Sequence, residues 1–404
     1  MNNERILAQG VTVSGDTWAT GLNNNDIIIG PSGSGKTRGY VIPNILQASE
    51  SLIVTDTKGS LRRRFSGLLE QEGYTVTDLD FVDCAVSPWG YNPLSHIRQQ
   101  NGKYSEQDII TVAARLVPLS SGKEPFWDLA ARMLLEGLIS YVLECLPEEE
   151  HTLGVAAKLL LEMNEKYFDA LFLELEQINP ASFAVARYKM FRLCAKADKM
   201  TASIQGVLAT QLSPYLFDGA GALFSNTRQV RFEELAEGKS ALFLTVSDTD
   251  RSLDALVTLF YTQALQALCR YADSRADSRL PVPVRFIMDD FAAGTCIPDF
   301  DNITSVIRSR EISVSLIIQS LSQLETLYGP AKAKTILNNC DHLLYLGGQD
   351  VETAAFIGKK ANRPTSDILN MPLSDAWLFT RGQKPRQVRK YTPEDHPRYP
   401  AKAG

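Results

Sequence analysis

The sequence predicts an α/β protein built on a mostly parallel sheet, with an all-α domain inserted into it. Three observations carry this expectation. Short, continuously apolar runs recur along the chain, helical spacings lie between many of them, and one long stretch shows helical spacing alone. The runs are DIIIG (26–30), SLIVTD (51–56), YTVTDLD (74–80), SALFLTV (240–246), VRFIMDD (284–290), VSLIIQS (314–320), DHLLYLG (341–347) and DAWLFT (375–380). Runs this short, without polar alternation, suit strands covered on both faces, as in a parallel sheet. Helical patterns such as 252–271 and 299–310 alternate with them, which points to a doubly wound arrangement.

From about Gly102 to Asn226 the rhythm changes. Apolar residues there fall at helical spacing, as in Trp127, Ala130, Ala131, Leu134, Leu135 and Leu138, with no strand-like run. After Thr380 the chain is rich in proline and basic residues and is expected to be loosely ordered.

Composition narrows the function classes. The 404 residues are 44% hydrophobic and 22% charged, which is ordinary for a soluble globular chain. Lys plus Arg is 41 against 47 for Asp plus Glu, a formal charge of −6, so any nucleic-acid contact must use a local basic surface. Six cysteines form no C-x-x-C pair and the four histidines are scattered, which excludes a zinc site of ordinary spacing and suits reduced thiols in a cytosolic protein. The N-terminus lacks a signal-peptide layout, and no stretch approaches the roughly 20 apolar residues that cross a bilayer.

The strongest motif is Gly30-Pro31-Ser32-Gly33-Ser34-Gly35-Lys36-Thr37, a G-x-x-x-x-G-K-[ST] loop between an expected strand and an expected helix. Glycines 33 and 35 let the backbone wrap closely, so that its N–H groups and the helix N-terminus face the phosphates of ATP. Lys36 can reach the β- and γ-phosphates, and the Thr37 hydroxyl can ligate Mg²⁺. The partner strand is VRFIMDD, ending in two acids. Asp289 would hold Mg²⁺ through water, and Asp290 would polarise the attacking water; a strand-end turn with two solvated acids is the plainer alternative. Lys36 and Asp289 lie 253 positions apart (289 − 36), and the helical stretch supplies much of that excess.

Two further positions fit. Gln319 ends the next strand, where it could sense the γ-phosphate or cap the helix that follows. Arg308 and Arg310 close a helix; either could stabilise a transferring phosphoryl group across a subunit interface, or sit on a solvated helix end. The expected organisation is a nucleotide-binding domain in two parts (1–101 and 227–382), an inserted all-α domain (102–226) and a basic tail (383–404).

Taken together, NNNDIIIGPSGSGKTR (23–38), IVTDTKGSL (53–61), YNPLSHI (91–97), IMDDFA (287–292), IPDFDNITSVIRSREISVSLIIQSLSQLETLYG (297–329) and NNCDHLLYLGGQD (338–350) resemble the TraG/TraD-like coupling ATPases of type IV secretion, particularly those of Gram-positive mobile elements. The resemblance runs from about Ile6 to Gly382. It implies a RecA-like motor domain with an inserted all-α domain, assembling as a homo-hexamer that hydrolyses ATP with Mg²⁺. It also implies DNA, a relaxase and type IV secretion channel components as partners, and work at the inner face of the cell membrane. Carried over residue by residue, Gly30 to Thr37 bind the nucleotide, Asp289 serves the metal, Gln319 is the sensor-like glutamine and Arg310 the trans-acting candidate.

Three departures from the family pattern stand out. Transmembrane helices usually precede the motor, whereas this chain starts almost at the motor, so it is read either as a soluble member or as a part whose anchor is removed or carried by another protein, with indirect membrane contact and either a hexamer when assembled or a monomer in isolation. The acidic pair is Asp289-Asp290 rather than Asp-Glu, which predicts slower hydrolysis. The D-P-K-G-E pattern is reduced to Asp56-Thr57-Lys58-Gly59-Ser60.

For DNA, the basic runs are Arg62-Arg63-Arg64 and the tail cluster of Arg381, Lys384, Arg386, Arg389 and Lys390; each could meet phosphates or be a solvated face. The acids of the helical stretch, among them Glu148–Glu150, Glu174 and Glu176, suit protein partners better than DNA. The leading expectation is an ATP-driven DNA-translocating coupling protein. The alternative is a low-turnover ATP-binding docking platform for relaxase or effector proteins.

Overall fold

The computed structural model describes residues 4–119, 125–162, 165–291 and 296–400. It divides into two compact units. The first comprises Met1–Leu79, Arg231–Arg251 and Ala264–Gly404; the second comprises Asp80–Val230 and Ser252–Gln263.

The first unit is built on a nine-stranded sheet. In chain order its strands are β1 (Asp26–Ile29), β2 (Ser51–Asp56), β3 (Thr75–Asp80), β4 (Ser240–Thr245), β5 (Val284–Met288), β6 (Ile312–Ile318), β7 (His342–Tyr345), β8 (Asp375–Thr380) and β9 (Arg386–Arg389). Across the sheet they run β9-β8-β7-β1-β6-β5-β2-β4-β3. The ladders joining β7, β1, β6, β5, β2 and β4 are all parallel, while β8 and β9 pair antiparallel at one edge. Eight of these strands fall on the apolar runs of the sequence.

The central strands are apolar on both faces because both faces are covered. Ile27, Ile28 and Ile29 are all fully buried. Alternate residues (Ile28, Val54, Phe243, Ile287, Ile317, Leu344) share one core with Tyr40, Val41 and Ile45 of the helix after β1, and with Leu61, Phe65 and Leu69 of the helix Ser60–Gln71. Each such side chain stabilises the fold by about 1.5–3 kcal/mol relative to exposure.

The C-terminal stretch differs from expectation. Residues 383–400, read as a loose tail, carry β9 and then a run that lies against the first unit, with Arg398 donating to the carbonyls of Leu46 and Gln47 at 3.1 and 2.9 Å. The strand was hidden because an edge strand needs no apolar run; RQVR is polar and largely exposed.

The second unit is helical. Its segments are Glu106–Leu116, Phe126–Cys145, Leu153–Glu162, Glu165–Ile178, Phe183–Cys194, Asp198–Leu212 and Asp218–Ser225. Phe126–Cys145 buries Leu134, Leu135, Leu138 and Val142 and packs against Phe183–Cys194 and Asp198–Leu212. Phe172 and Tyr188 stack with centroids 4.1 Å apart. The unit reaches outside 102–226 because Phe81 and Tyr91 pack edge-on to Phe260, at 6.2 and 5.2 Å, and the Gln263 amide donates to the Pro93 carbonyl at 3.0 Å. Among the described residues, no helix is long and apolar enough to cross a membrane.

Candidate nucleotide-binding site

The parallel register brings three strand ends together. Ile318 pairs with Ile29, and Leu316 pairs with Met288, so β6 lies between β1 and β5 with its C-terminal end level with theirs. Gly30, Gln319 and Asp289 therefore emerge along one rim, and the Gly30 N–H donates to the Ile318 carbonyl at 3.1 Å. A strand spacing of about 4.8 Å puts β1 and β5 roughly 10 Å apart, close enough for side chains to meet.

The Gly30–Thr37 loop turns through positive φ at Gly33 (77°) and Gly35 (92°), conformations open to glycine and strained for residues with a Cβ. The helix that follows opens as a π-helical turn (Thr37–Val41) and continues as an α-helix (Ile42–Gln47). Pro43 has no N–H to give the Gly39 carbonyl, and the widened turn before it is closed by the Ile42 N–H donating to the Thr37 carbonyl.

Lys36 is buried and its ammonium donates to the carbonyls of Gly30 and Pro31 at 2.8 and 3.2 Å. The Thr37 hydroxyl donates to Asp289 Oδ2 at 2.6 Å. Burial raises the Asp289 pKa; the Thr37 hydrogen bond and the Lys36 charge oppose this, and the Asp290 charge adds to it. Asp290 takes a left-handed φ of 52° and donates its N–H to Asp289 Oδ1 at 3.1 Å. Asp and Asn tolerate that region better than other residues with side chains.

Hydroxyl and carboxylate oxygens are hard donors that suit Mg²⁺, an ion that keeps several waters and takes the rest of its shell from phosphates. Among the described residues, no group of three or more His, Cys, Asp or Glu is placed to hold a metal.

The other expected residues are more dispersed. The Gln319 side chain is exposed on the rim, and the Gln319 N–H donates to Gln323 Oε1 at 3.0 Å; the N-cap of the next helix is Ser320, without a side-chain cap bond, so Gln319 does not cap it. Arg310 is not brought to its own phosphate loop. It precedes β6, seven residues long and so about 23 Å, at the end away from Gln319, and is held bidentately by Asp273 at 2.7 and 2.9 Å. Arg308 donates to the Thr17 carbonyl at 3.0 Å.

Asp56 and the basic runs have partners within the chain. Asp56 accepts backbone N–H bonds from Ser60 and Arg62, both at 3.0 Å, and so caps the helix Ser60–Gln71. Arg62 pairs with Asp78 at 3.0 Å, Arg63 donates to the Lys58 carbonyl at 3.0 Å, and Arg64 lies 4.7 Å from the Tyr399 ring centroid. All three arginines of that run are engaged within the protein. In the tail cluster, Arg381 pairs with Asp341 at 3.2 Å and Lys390 donates to the Ser34 carbonyl at 2.9 Å, while Lys384, Arg386 and Arg389 are exposed.

One feature escaped sequence reasoning. Beneath β1, Asp26 accepts from Arg5 at 3.0 and 3.2 Å and lies 3.1 Å from the His342 ring and 3.5 Å from Arg285. Arg285 also bonds Glu50 at 2.5 Å. All five side chains are buried. The attractions of Arg5 and Arg285, with the His342 bond, outweigh desolvation and hold the Asp26 carboxyl far below the usual carboxylate range. Its faint signal was an arginine inside the apolar run VRFIM.

A parallel sheet whose first strand feeds a G-x-x-x-x-G-K-T loop, with one strand between it and an acid-ending strand, defines a phosphate-loop protein of the RecA-like class. The chain belongs to the family described as Type IV secretory system Conjugative DNA transfer, which it matches over residues 2–368. It is 25% identical over 375 residues to protein VirD4 of Rhizobium radiobacter, covering 90% of this chain and 52% of VirD4. It is 23% identical over 352 residues to the conjugal transfer protein TraG of Escherichia coli, covering 83% and 54%. The chain thus spans about half the length of these relatives. Among solved structures, the plasmid coupling protein TrwB in complex with ADP and Mg²⁺ superposes with a TM-score of 0.69 at 17% identity, covering 96% of this chain and 89% of TrwB. TrwB has likewise been solved with a non-hydrolysable ATP analogue, with a TM-score of 0.69 at 16% identity over the same shares.

Proposed function

We propose that this chain is the motor part of a conjugative coupling protein, binding ATP with Mg²⁺ and hydrolysing it to drive transfer DNA, with its relaxase, into a type IV secretion channel. The observation that carries this reading is the 2.6 Å bond between the loop's Thr37 and the acid-ending strand's Asp289, with the Gln319 strand between them. In this reading the loop N–H groups and Lys36 hold the phosphates, and Thr37 and Asp289 hold the ion. Asp290 orients water, and Gln319 senses the γ-phosphate. Bound Mg²⁺ supplies charge neutralisation at the β- and γ-phosphates. Arg310, remote from its own loop, serves a neighbour's site in a homo-hexamer at the inner face of the membrane. TrwB, of the same fold, binds ADP and Mg²⁺, which supports the choice of ligands.

The second reading, a docking platform that binds ATP but turns it over poorly, is favoured by one observation. Asp290 is shorter than a glutamate and its backbone is fixed in a left-handed conformation. The deciding experiment is the ATPase rate with and without single- and double-stranded DNA, beside Lys36→Ala. Turnover that rises with DNA and vanishes in the variant supports the motor. Nucleotide binding without turnover, in the presence of either DNA, rejects it in favour of the platform.

A further inference from the structure

One lysine of the tail cluster, Lys390, reaches the phosphate loop. Lys390 follows β9, its N–H donates to the Ser374 carbonyl at 2.9 Å, and its half-buried ammonium donates to the Ser34 carbonyl at 2.9 Å. Ser34 is two residues before Lys36, in the part of the loop whose N–H groups are directed at phosphates.

The direction of that bond has a consequence. The Ser34 carbonyl and the Gly35 N–H belong to one planar trans peptide unit, so they point in opposite directions. An ammonium holding the carbonyl therefore fixes the Gly35 N–H on the side away from Lys390. This peptide unit needs such a hold. It turns on the φ of Gly35, at 92°, and a glycine backbone rotates between orientations at little cost. Flipping the unit would set its N–H, a donor, against the ammonium and remove an acceptor from it.

The rest of the segment fixes where Lys390 stands. The Tyr391 carbonyl lies over Gly39, 3.5 Å from where a Cβ would be. Glu394 pairs with Arg38 at 2.7 Å, and Arg398 holds the last carbonyls of the same helix. The segment from 390 to 398 thus touches the loop, the first turn and the last turn of the element that carries Lys36 and Thr37.

We propose that Lys390 is a positioning residue of the phosphate loop, holding the Ser34 carbonyl so that the Gly35 N–H faces the bound phosphates; this rests on the nucleotide-site reading above. It assigns one member of the basic tail cluster to the nucleotide rather than to DNA. An arginine in its place can still donate to the carbonyl; a methionine of similar length cannot.

The test is titration of a fluorescent ADP and a fluorescent non-hydrolysable ATP analogue, with Mg²⁺, into the full chain and its Lys390→Met, Lys390→Arg and Lys36→Ala variants, with inorganic tripolyphosphate as competitor. Losing one charge-assisted bond is expected to weaken Lys390→Met about tenfold for both nucleotides and for tripolyphosphate. Lys390→Arg should recover to within about threefold, with unfolding midpoints in the absence of nucleotide within about 2 °C of the parent. Parental affinity in Lys390→Met overturns the proposal. So does Lys390→Arg binding as weakly as Lys390→Met, or a loss matched by a fall in the unfolding midpoint, since either makes the lysine only structural. Lys36→Ala separates the two layers. If it binds as the parent does, the nucleotide-site reading fails; if it loses binding while Lys390→Met does not, this inference alone fails.

Discussion

The Thr37 hydroxyl donates to Asp289 Oδ2 at 2.6 Å although the two residues stand 252 positions apart. Asp289→Asn keeps an acceptor for Thr37 and removes the charge. The fold is therefore expected to persist, while the Mg²⁺ dependence of ADP affinity disappears and turnover falls at least about a hundredfold, as for removal of a group that acts on transition-state charge. Calorimetric titration with and without Mg²⁺ checks this; an unchanged Mg²⁺ dependence removes Asp289 from the metal site.

Asp290 offers a second test, because its backbone and its chemistry can be changed separately. Asn tolerates a φ of 52° about as well as Asp, so Asp290→Asn should leave the unfolding midpoint within about 2 °C and lower turnover sharply. Asp290→Glu restores the family's usual acid at some conformational cost. It is expected to raise turnover and to lower stability by less than about 1 kcal/mol. Steady-state rates for the three proteins decide whether this acid orients water.

Charge buried under β1 makes stability depend on pH in one direction. The Asp26 pKa is depressed, so its contribution is fully present above the unfolded value near 4 and is lost as pH falls below it. Asp26→Ala leaves Arg5 and Arg285 underpaired in the interior and should destabilise the first unit by about 3–5 kcal/mol. Urea midpoints from pH 7 down to pH 3 measure both effects.

Glu136 acts in the opposite sense in the helical unit. Burial pushes its carboxyl up to about 7, against the pull of Arg187 and Arg132. Arg187 Nε lies 2.6 Å from Oε2, yet the pair lacks the alignment of a hydrogen bond, so desolvation is poorly offset. The folded unit holds this proton more tightly than the unfolded chain, where Glu titrates near 4.3. Stability from this group is present below about pH 4 and is lost as pH rises to about 7. Glu136→Gln should flatten that segment of the urea-midpoint profile; an unchanged slope refutes the assignment.

Arg310 is bound by Asp273 at an exposed site, a pair worth only about 0.2–1 kcal/mol, so its removal should barely change folding. If it serves a neighbouring subunit, Arg310→Ala should bind nucleotide normally and turn over slowly. Mixing it with Lys36→Ala should then restore part of the lost rate, since an intact loop can meet an intact arginine across an interface. Mixtures no faster than the sum of their parts exclude the trans role.

Where physics acts locally, the sequence was readable. The strand containing Ile27–Ile29, the glycines of the loop and the acids closing VRFIM each follow from a run of a few residues. The chain's helical stretch was readable from its spacing, although Phe81 and Tyr91 tie an earlier segment to the helical unit through long-range ring contacts. Strand β9 was not readable, because RQVR is polar and largely exposed at its edge and so carries no burial signal. The bonds from Lys390 to Ser34 and from Arg5 to Asp26 were not readable either, since each joins side chains that only the finished topology makes neighbours.

The strand order also bears on how the chain is made. β1 is complete by residue 29, yet its two neighbours, β6 and β7, end at residues 318 and 345. During synthesis at about 5–20 residues per second, the apolar strand DIIIG waits tens of seconds for both flanks, its amide edges unpaired. A nascent chain arrested before residue 312 lacks both partners of β1, so its phosphate loop has no sheet to hold it. Nucleotide binding by ribosome-bound chains of increasing length should therefore begin only after residues 318 and 345, the ends of β6 and β7, have emerged.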